Sequence, residues 1–138
     1  MQTHLSHIQF NVAPDNLGFY RDLMSFLGWS SLYDTAEMLG ILDKNGTSLW
    51  FSGQVKAVSN DYDGPGVNHL ALGAASQADV DAAAAYLSER YVELLFETPR
   101  HRPEFAGSAE ETYYQVMFET PDRILLEIVY TGQKQANL

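Results

Sequence analysis

The run His69-Leu70-Ala71-Leu72 restates, 62 residues further on (69 minus 7), the pattern His7-Ile8-Gln9-Phe10: histidine, apolar, variable, apolar. From His7 the alternation is strict, with Ile8, Phe10 and Val12 on one face of a strand and His7, Gln9 and Asn11 on the other. One face is therefore core and the other is unusually polar. Working outward, Pro14 ends the strand and Asp15 or Asn16 can cap a helix. Leu17, Tyr20, Leu23, Met24 and Leu27 then recur at helical spacing as far as Gly28, a C-cap residue. Three short apolar runs follow at 29–33, 38–42 and 48–51, parted by the turn signals Asp34-Thr35 and Lys44-Asn45-Gly46.

Residues 54–66 are polar and carry Asp63-Gly64 and Pro65-Gly66, so they read as a connection and as the best internal boundary. The same order then begins again. A strand over 67–73 leads to a helix opened by Ser76 with Asp79 three residues on, and Val80, Ala83, Ala84 and Leu87 share one helical face. Extended runs at 92–96, 113–119 and 124–130 complete it, the last two joined by a Thr120-Pro121-Asp122-Arg123 turn. The expected fold is α+β: two βαβββ modules, about 3–53 and 66–131, within one domain spanning 1–138. The two sheets of such a repeat pair to bury a shared cavity, giving a cupped mixed sheet with helices on its outer face.

A chain of 138 residues can bury a real core, and its 46% hydrophobic and 12% aromatic content is that of a globular protein. Lys and Arg total 8 against 18 Asp and Glu, and a net charge of -10 argues against nucleic acid or an anionic membrane surface as partner. There is no cysteine, so a disulfide framework and thiolate chemistry are both excluded, and a metal would take His, carboxylate or water ligands. The N-terminal run MQTHLSHIQF lacks the basic and apolar regions of a signal peptide, and no apolar stretch approaches 18 residues. The expectation is a soluble cytoplasmic protein with a small-molecule ligand.

Glu127 stands in Ile124-Leu125-Leu126-Glu127-Ile128-Val129-Tyr130, an apolar strand where a lone buried carboxylate would cost several kcal/mol. The nearest cation in sequence, Arg123, belongs to the turn, which leaves a metal as the economical partner. A single strand histidine is commonly just a satisfied side chain. Two at equivalent places in a repeat, with a buried carboxylate in the last strand, point instead to His7, His69 and Glu127 as metal ligands. His4 lies three residues from His7, in the frayed start or on the other face, and reads as bland.

These motifs together resemble the vicinal oxygen chelate superfamily, which holds glyoxalase I, the extradiol ring-cleavage dioxygenases, the fosfomycin-resistance thiol transferases and the bleomycin-binding proteins. The resemblance covers nearly all of residues 3–130. It rests on His7; on Phe19-Tyr20 with Leu27-Gly28-Trp29; on Asn68-His69-Leu70-Ala71-Leu72; and on the run from Phe118 to Glu127, which is similar to the family's ending F-x-D-P-D-G-x-x-x-E. Carried over, the family's metal ligands fall on His7, His69 and Glu127. That two-His, one-carboxylate set leaves positions open for a bidentate substrate and suits Fe or Mn, with Zn, Ni or Co as further options.

Two departures accompany the resemblance. The fourth strand, Thr47-Ser48-Leu49-Trp50-Phe51-Ser52, lacks the Glu that serves glyoxalase I as fourth ligand and base, and Arg123 replaces the usual turn glycine. Gln9, Asn11, Trp50 and Gln115 are the expected pocket residues. Either Tyr113, Gln115 and Met117 or Tyr114, Val116 and Phe118 face inward in the penultimate strand, so Tyr113 and Tyr114 are both catalytic candidates. The long connection over 98–112 holds Arg100, His101 and Arg102, the densest basic cluster of an acidic chain; it could attract an anionic substrate, or His101 could serve there as acid or base, against the plainer reading of a solvated loop. The implied function is lyase, isomerase or dioxygenase chemistry on a small vicinally oxygenated molecule, in a homodimer. The rival is a binding protein that sequesters a small molecule without catalysis.

Overall fold

In a computed structural model the described residues are 1–135, and the chain divides into two compact units, Met1–Ser59 and Asn60–Leu138. The division falls inside the polar connection, where the sequence places its boundary.

The first unit holds β1 (His7–Asn11), α1 (Leu17–Phe26), β2 (Ser30–Asp34), β3 (Met38–Leu42) and β4 (Ser48–Ser52), in the sheet order β1-β4-β3-β2. β1 is parallel to β4 and the other pairs are antiparallel, so the sheet is mixed. Helix α1 is entered through a 3-10 turn, Pro14–Asn16. It ends in a Schellman motif: Gly28 at φ +88 donates to Ser25 O and Trp29 donates to Met24 O. Tyr20, Leu23 and Met24 of α1 are fully buried, and Tyr20 stacks on Phe51 at 4.5 Å. Burying a side chain of this size stabilises the unit by roughly 1.5–3 kcal/mol, so the helix is held by packing more than by propensity.

The second unit repeats the plan with β5 (Leu70–Gly73), α2 (Gln77–Glu89), β6 (Leu94–His101), β7 (Glu111–Glu119) and β8 (Leu125–Gln133), in the order β5-β8-β7-β6. Again the first and last strands of the module run parallel and lie side by side. The Ser76 side chain caps α2 by accepting from Asp79 N, and Val80, Ala83 and Leu87 pack on the sheet with no exposure.

Of the boundaries that differ from the sequence reading, two bear on the site. β5 starts at Leu70, so His69 stands just ahead of the strand instead of within it. β6 runs on to His101, and Arg100 and His101 are strand residues rather than part of a long loop. The cause is an excursion at 96–99, where Leu95 pairs with Met117 and the next partner pair is Arg100 with Gln115. Phe96 and Glu97 take left-handed φ values of 56 and 60, an arrangement that non-glycine sequence does not advertise. The Thr98 hydroxyl ties the excursion down, donating to Leu95 O and accepting from Met117 N.

Candidate functional site

In the second unit β8 is central, with Glu127 in register with Ala71 of β5 and Met117 of β7. Registered partners share a face. Tyr113, Gln115 and Met117 therefore lie on the Glu127 side, and Tyr114, Val116 and Phe118 on the α2 side. The hydrogen bonds agree: Glu127 Oε1 accepts from the Tyr113 hydroxyl at 2.6 Å and from Gln115 Nε2 at 2.7 Å, whereas the Tyr114 hydroxyl donates to Asp81 of α2 at 2.6 Å. This decides the parity that the sequence leaves open. Burial and the bond to Glu127 push the Tyr113 phenol up to about 12, so it remains a donor across the physiological range.

Glu127 is 1% exposed, and its second oxygen, Oε2, lies 3.0 Å from His69 Nε2. The other ring nitrogen, His69 Nδ1, is 2.7 Å from Asn68 Oδ1, and Asn68 Nδ2 donates to Tyr62 O at 3.2 Å. The second contact fixes which end of the Asn68 amide faces the ring. An amide oxygen only accepts, so Nδ1 must carry a hydrogen, and in neutral imidazole Nε2 is then a lone pair. Nε2 and the carboxylate oxygen thus meet as two acceptors, which is attractive only with a positive charge shared between them, a proton or a metal ion. The 3.0 Å separation is also the span of two adjacent ligands about 2.1 Å from a single ion. The pair thus suits either a shared proton or two of the ligands of a divalent metal.

Gln115, 3% exposed, is held from its other end: its Oε1 accepts from Arg102 Nε at 2.8 Å, so its amide donates to Glu127 and accepts from Arg102. Phe105 packs edge-on against Tyr113 with ring centroids 5.4 Å apart. Sequence reasoning named neither Asn68 nor Phe105 as a site residue. Asn68 is adjacent to His69 and could have been suspected from that; Arg102 reaches the site only because the 96–99 excursion sets its parity. His101 goes the other way, pairing with Tyr114 and placing Nδ1 2.6 Å from Thr112 Oγ1. The structure thus brings His69, Glu127, Tyr113 and Gln115 together and puts His101 and Tyr114 on the opposite face of the sheet.

In the first unit His7, Gln9 and Asn11 are exposed along β1, in register with Ser48, Trp50 and Ser52 of β4. Among the described residues no group of three or more His, Asp or Glu is gathered to hold a metal ion. The registers show what became of the missing fourth-strand carboxylate. His7 precedes the Gln9–Trp50 pair by two residues, as His69 precedes the Ala71–Glu127 pair, so Trp50 holds the place in the first unit that Glu127 holds in the second. The indole lies over Gly40, where an added Cβ would come within 2.5 Å of the ring. It donates to Ser48 Oγ at 3.1 Å and meets Tyr33 at 6.2 Å. An aromatic surface stands at that position.

No family model and no curated protein matches the sequence. Solved structures do. A candidate glyoxalase from Bacillus halodurans is 29% identical with a TM-score of 0.75, over 94% of this chain and 96% of that one. A glyoxalase/bleomycin resistance protein/dioxygenase domain from Frankia is 18% identical with a TM-score of 0.70, over 96% and 100%. The fosfomycin resistance protein FosX of Listeria monocytogenes, in a complex with Mn(II) and sulfate, is 20% identical with a TM-score of 0.68, over 96% and 93%. With its two βαβββ modules and mixed four-stranded sheets, the chain has the fold of the vicinal oxygen chelate superfamily, to which these proteins belong.

Proposed function

We propose that the protein is a metal-dependent enzyme acting on a small vicinally oxygenated molecule by lyase, isomerase or dioxygenase chemistry, with His69, Glu127 and His7 as ligands. The observation that carries this reading is the pair of opposed acceptors, His69 Nε2 and Glu127 Oε2, each locked by its own neighbours. Mn(II) in FosX makes Mn one of the metals to try, alongside Fe, Zn, Ni and Co. Bound there, such an ion would polarise two adjacent substrate oxygens as a Lewis acid. The protein's own part is positional. Asn68 orients the imidazole, and Tyr113 and Gln115 hold one carboxylate oxygen so that the other stays free for the ion. Tyr113 also keeps a proton beside the site, and Phe105 backs its ring. His7 supplies the third ligand, within a homodimer in the cytoplasm. Gln9, Asn11 and Trp50 line the polar and aromatic face that receives the substrate; the flat indole suits a planar or apolar group.

A second reading has its own support. His69 and Glu127 satisfy one another as a simple ion pair when the imidazole is protonated, and Trp50 stands where a ligand would be. That describes a binding protein without catalysis. Turnover of small hydroxy-carbonyl and catechol compounds by metal-reconstituted protein separates the two. The enzyme loses activity with a chelator and in His7→Ala and His69→Ala; a binder retains ligand affinity through all three.

A further inference from the structure

The sheet face that carries Glu127 also carries two of the eight Lys and Arg residues of an acidic chain. Arg100 pairs with Gln115, and Arg102 N donates to Tyr113 O, so both arginines fall on the side of Tyr113 and Gln115. They differ in environment. Arg100 is engaged with Glu97 at 3.1 Å. Among the described residues Arg102 is anchored chiefly through Nε, which donates to Gln115 Oε1 at 2.8 Å, and its side chain is 20% exposed. Its two terminal amino groups have only long contacts, 3.6 Å to the exposed Glu104 and 3.5 Å to Phe96 O. A guanidinium offers five N–H donors in a fixed fork, the geometry that fits an oxyanion bidentately. Here the fork is preorganised by one strong bond and otherwise weakly occupied.

The position matters as much as the charge. One carboxamide, that of Gln115, separates the guanidinium from Glu127, because the same side chain accepts from Arg102 and donates to Glu127 at 2.7 Å. Phe96, whose backbone O lies 3.5 Å from the fork, and Phe105, whose ring packs on Tyr113, are exposed at 52% and 62% and offer apolar surface to the carbon part of an organic ion.

We propose that Arg102 is an oxyanion subsite, and that the substrate is an organic anion whose carboxylate or phosphoryl group binds Arg102 while its vicinal oxygens reach Glu127 and His69. Placing the anion there rests on the metal-site reading above; the anion subsite itself does not need it. In this arrangement Glu104 is the ion's stand-in: a loosely held, exposed carboxylate that a better-fitting oxyanion displaces.

The test uses metal-free protein and two simple probes, inorganic phosphate and acetate, followed by the NMR signals of the arginine Nε–H groups. The expected result is a saturable shift of the Arg102 signal by one or both probes, with Arg21, already bidentate on Asp34, unmoved. Phosphate alone acting would mark a phosphoryl subsite, and both acting comparably a carboxylate-tolerant one. Arg102→Gln should weaken saturable binding at least tenfold, while Arg100→Gln leaves it within about twofold; Arg102→Lys should retain part of it. Equal small drifts of all arginine signals, or unchanged binding in Arg102→Gln, would overturn the subsite. Paramagnetic broadening by Mn(II) near Ala71 and Glu127 is recorded separately. If Mn(II) fails to bind while phosphate still shifts Arg102, the metal reading fails and the subsite stands.

Discussion

Gln115→Leu removes a side chain of similar volume that bonds to two charged groups at once. Hydrogen bonds to charged partners contribute about 1.5–3 kcal/mol each. The bond to Glu127 lies in a place that is almost fully dry, so its whole value is at stake; the bond to Arg102 is discounted to about 1 kcal/mol, because water can reach that guanidinium. Leucine returns about 1 kcal/mol of apolar burial. The expected net cost is about 1.5–3 kcal/mol in urea unfolding. A double-mutant cycle with Glu127→Gln isolates the cause. Without the buried negative charge, the same Gln115→Leu change should cost only about 1 kcal/mol, a coupling of about 0.5–2 kcal/mol. A cost below about 0.5 kcal/mol, or additivity within that margin, would refute the view that Gln115 holds a charged carboxylate in place.

Gly40→Ala drives a Cβ into the Trp50 indole, which Ser48 and Tyr33 hold, and should destabilise by about 1–3 kcal/mol with a changed Trp50 emission, read in a Trp29→Phe background. Arg123→Gly relieves a left-handed residue at φ 56 and gives up an exposed 3.9 Å ion pair with Glu119 and a guanidinium–ring contact with Tyr62 at 5.7 Å, so stability should rise by no more than about 0.5 kcal/mol in thermal or urea unfolding; a loss would show that the side-chain contacts matter more than the backbone. Burial and its bond to Asp81 push the Tyr114 phenol up to about 12, above the ordinary value of 10. A raised pKa means that the folded state favours the protonated form: the contribution is full below pH 10 and is lost as pH rises through about 12. Phenolate absorbance should therefore show a late-titrating step, shared with Tyr113, that Tyr114→Phe reduces by one phenol, with less alkaline loss of stability in the variant.

Much of this was legible in the residues. The paired His-apolar-variable-apolar runs marked the repeat, and strict alternation after His7 predicted a polar face that β1 does present. Glu127 stood out because an ionisable group in an apolar strand has few places to go, and it is indeed buried. Parity in β7 was not legible, since Tyr113 to Phe118 suits either face; only pairing with β8 decides it. Nor was the path of β6. Left-handed Phe96 and Glu97 carry no glycine signal, so the strand looked finished at 96 and its continuation through Arg100 and His101 looked like loop. The consequence is that His101, a catalytic candidate by sequence, bonds to Thr112 on the α2 side, while Arg102 reaches the site. Trp50 in the position equivalent to Glu127 follows from comparing two ladders, which the sequence suggests only after the strands have been paired.

The most direct measurement is metal stoichiometry by elemental analysis, after reconstitution with Mn, Fe, Zn, Ni or Co and removal of excess, for the wild-type protein and for Glu127→Ala, His69→Ala and His7→Ala. About one ion per chain in the wild type, and near none in each variant at the same free metal concentration, is the result expected of a site built on these three residues. No retained metal in the wild type, or undiminished metal in Glu127→Ala, would contradict it.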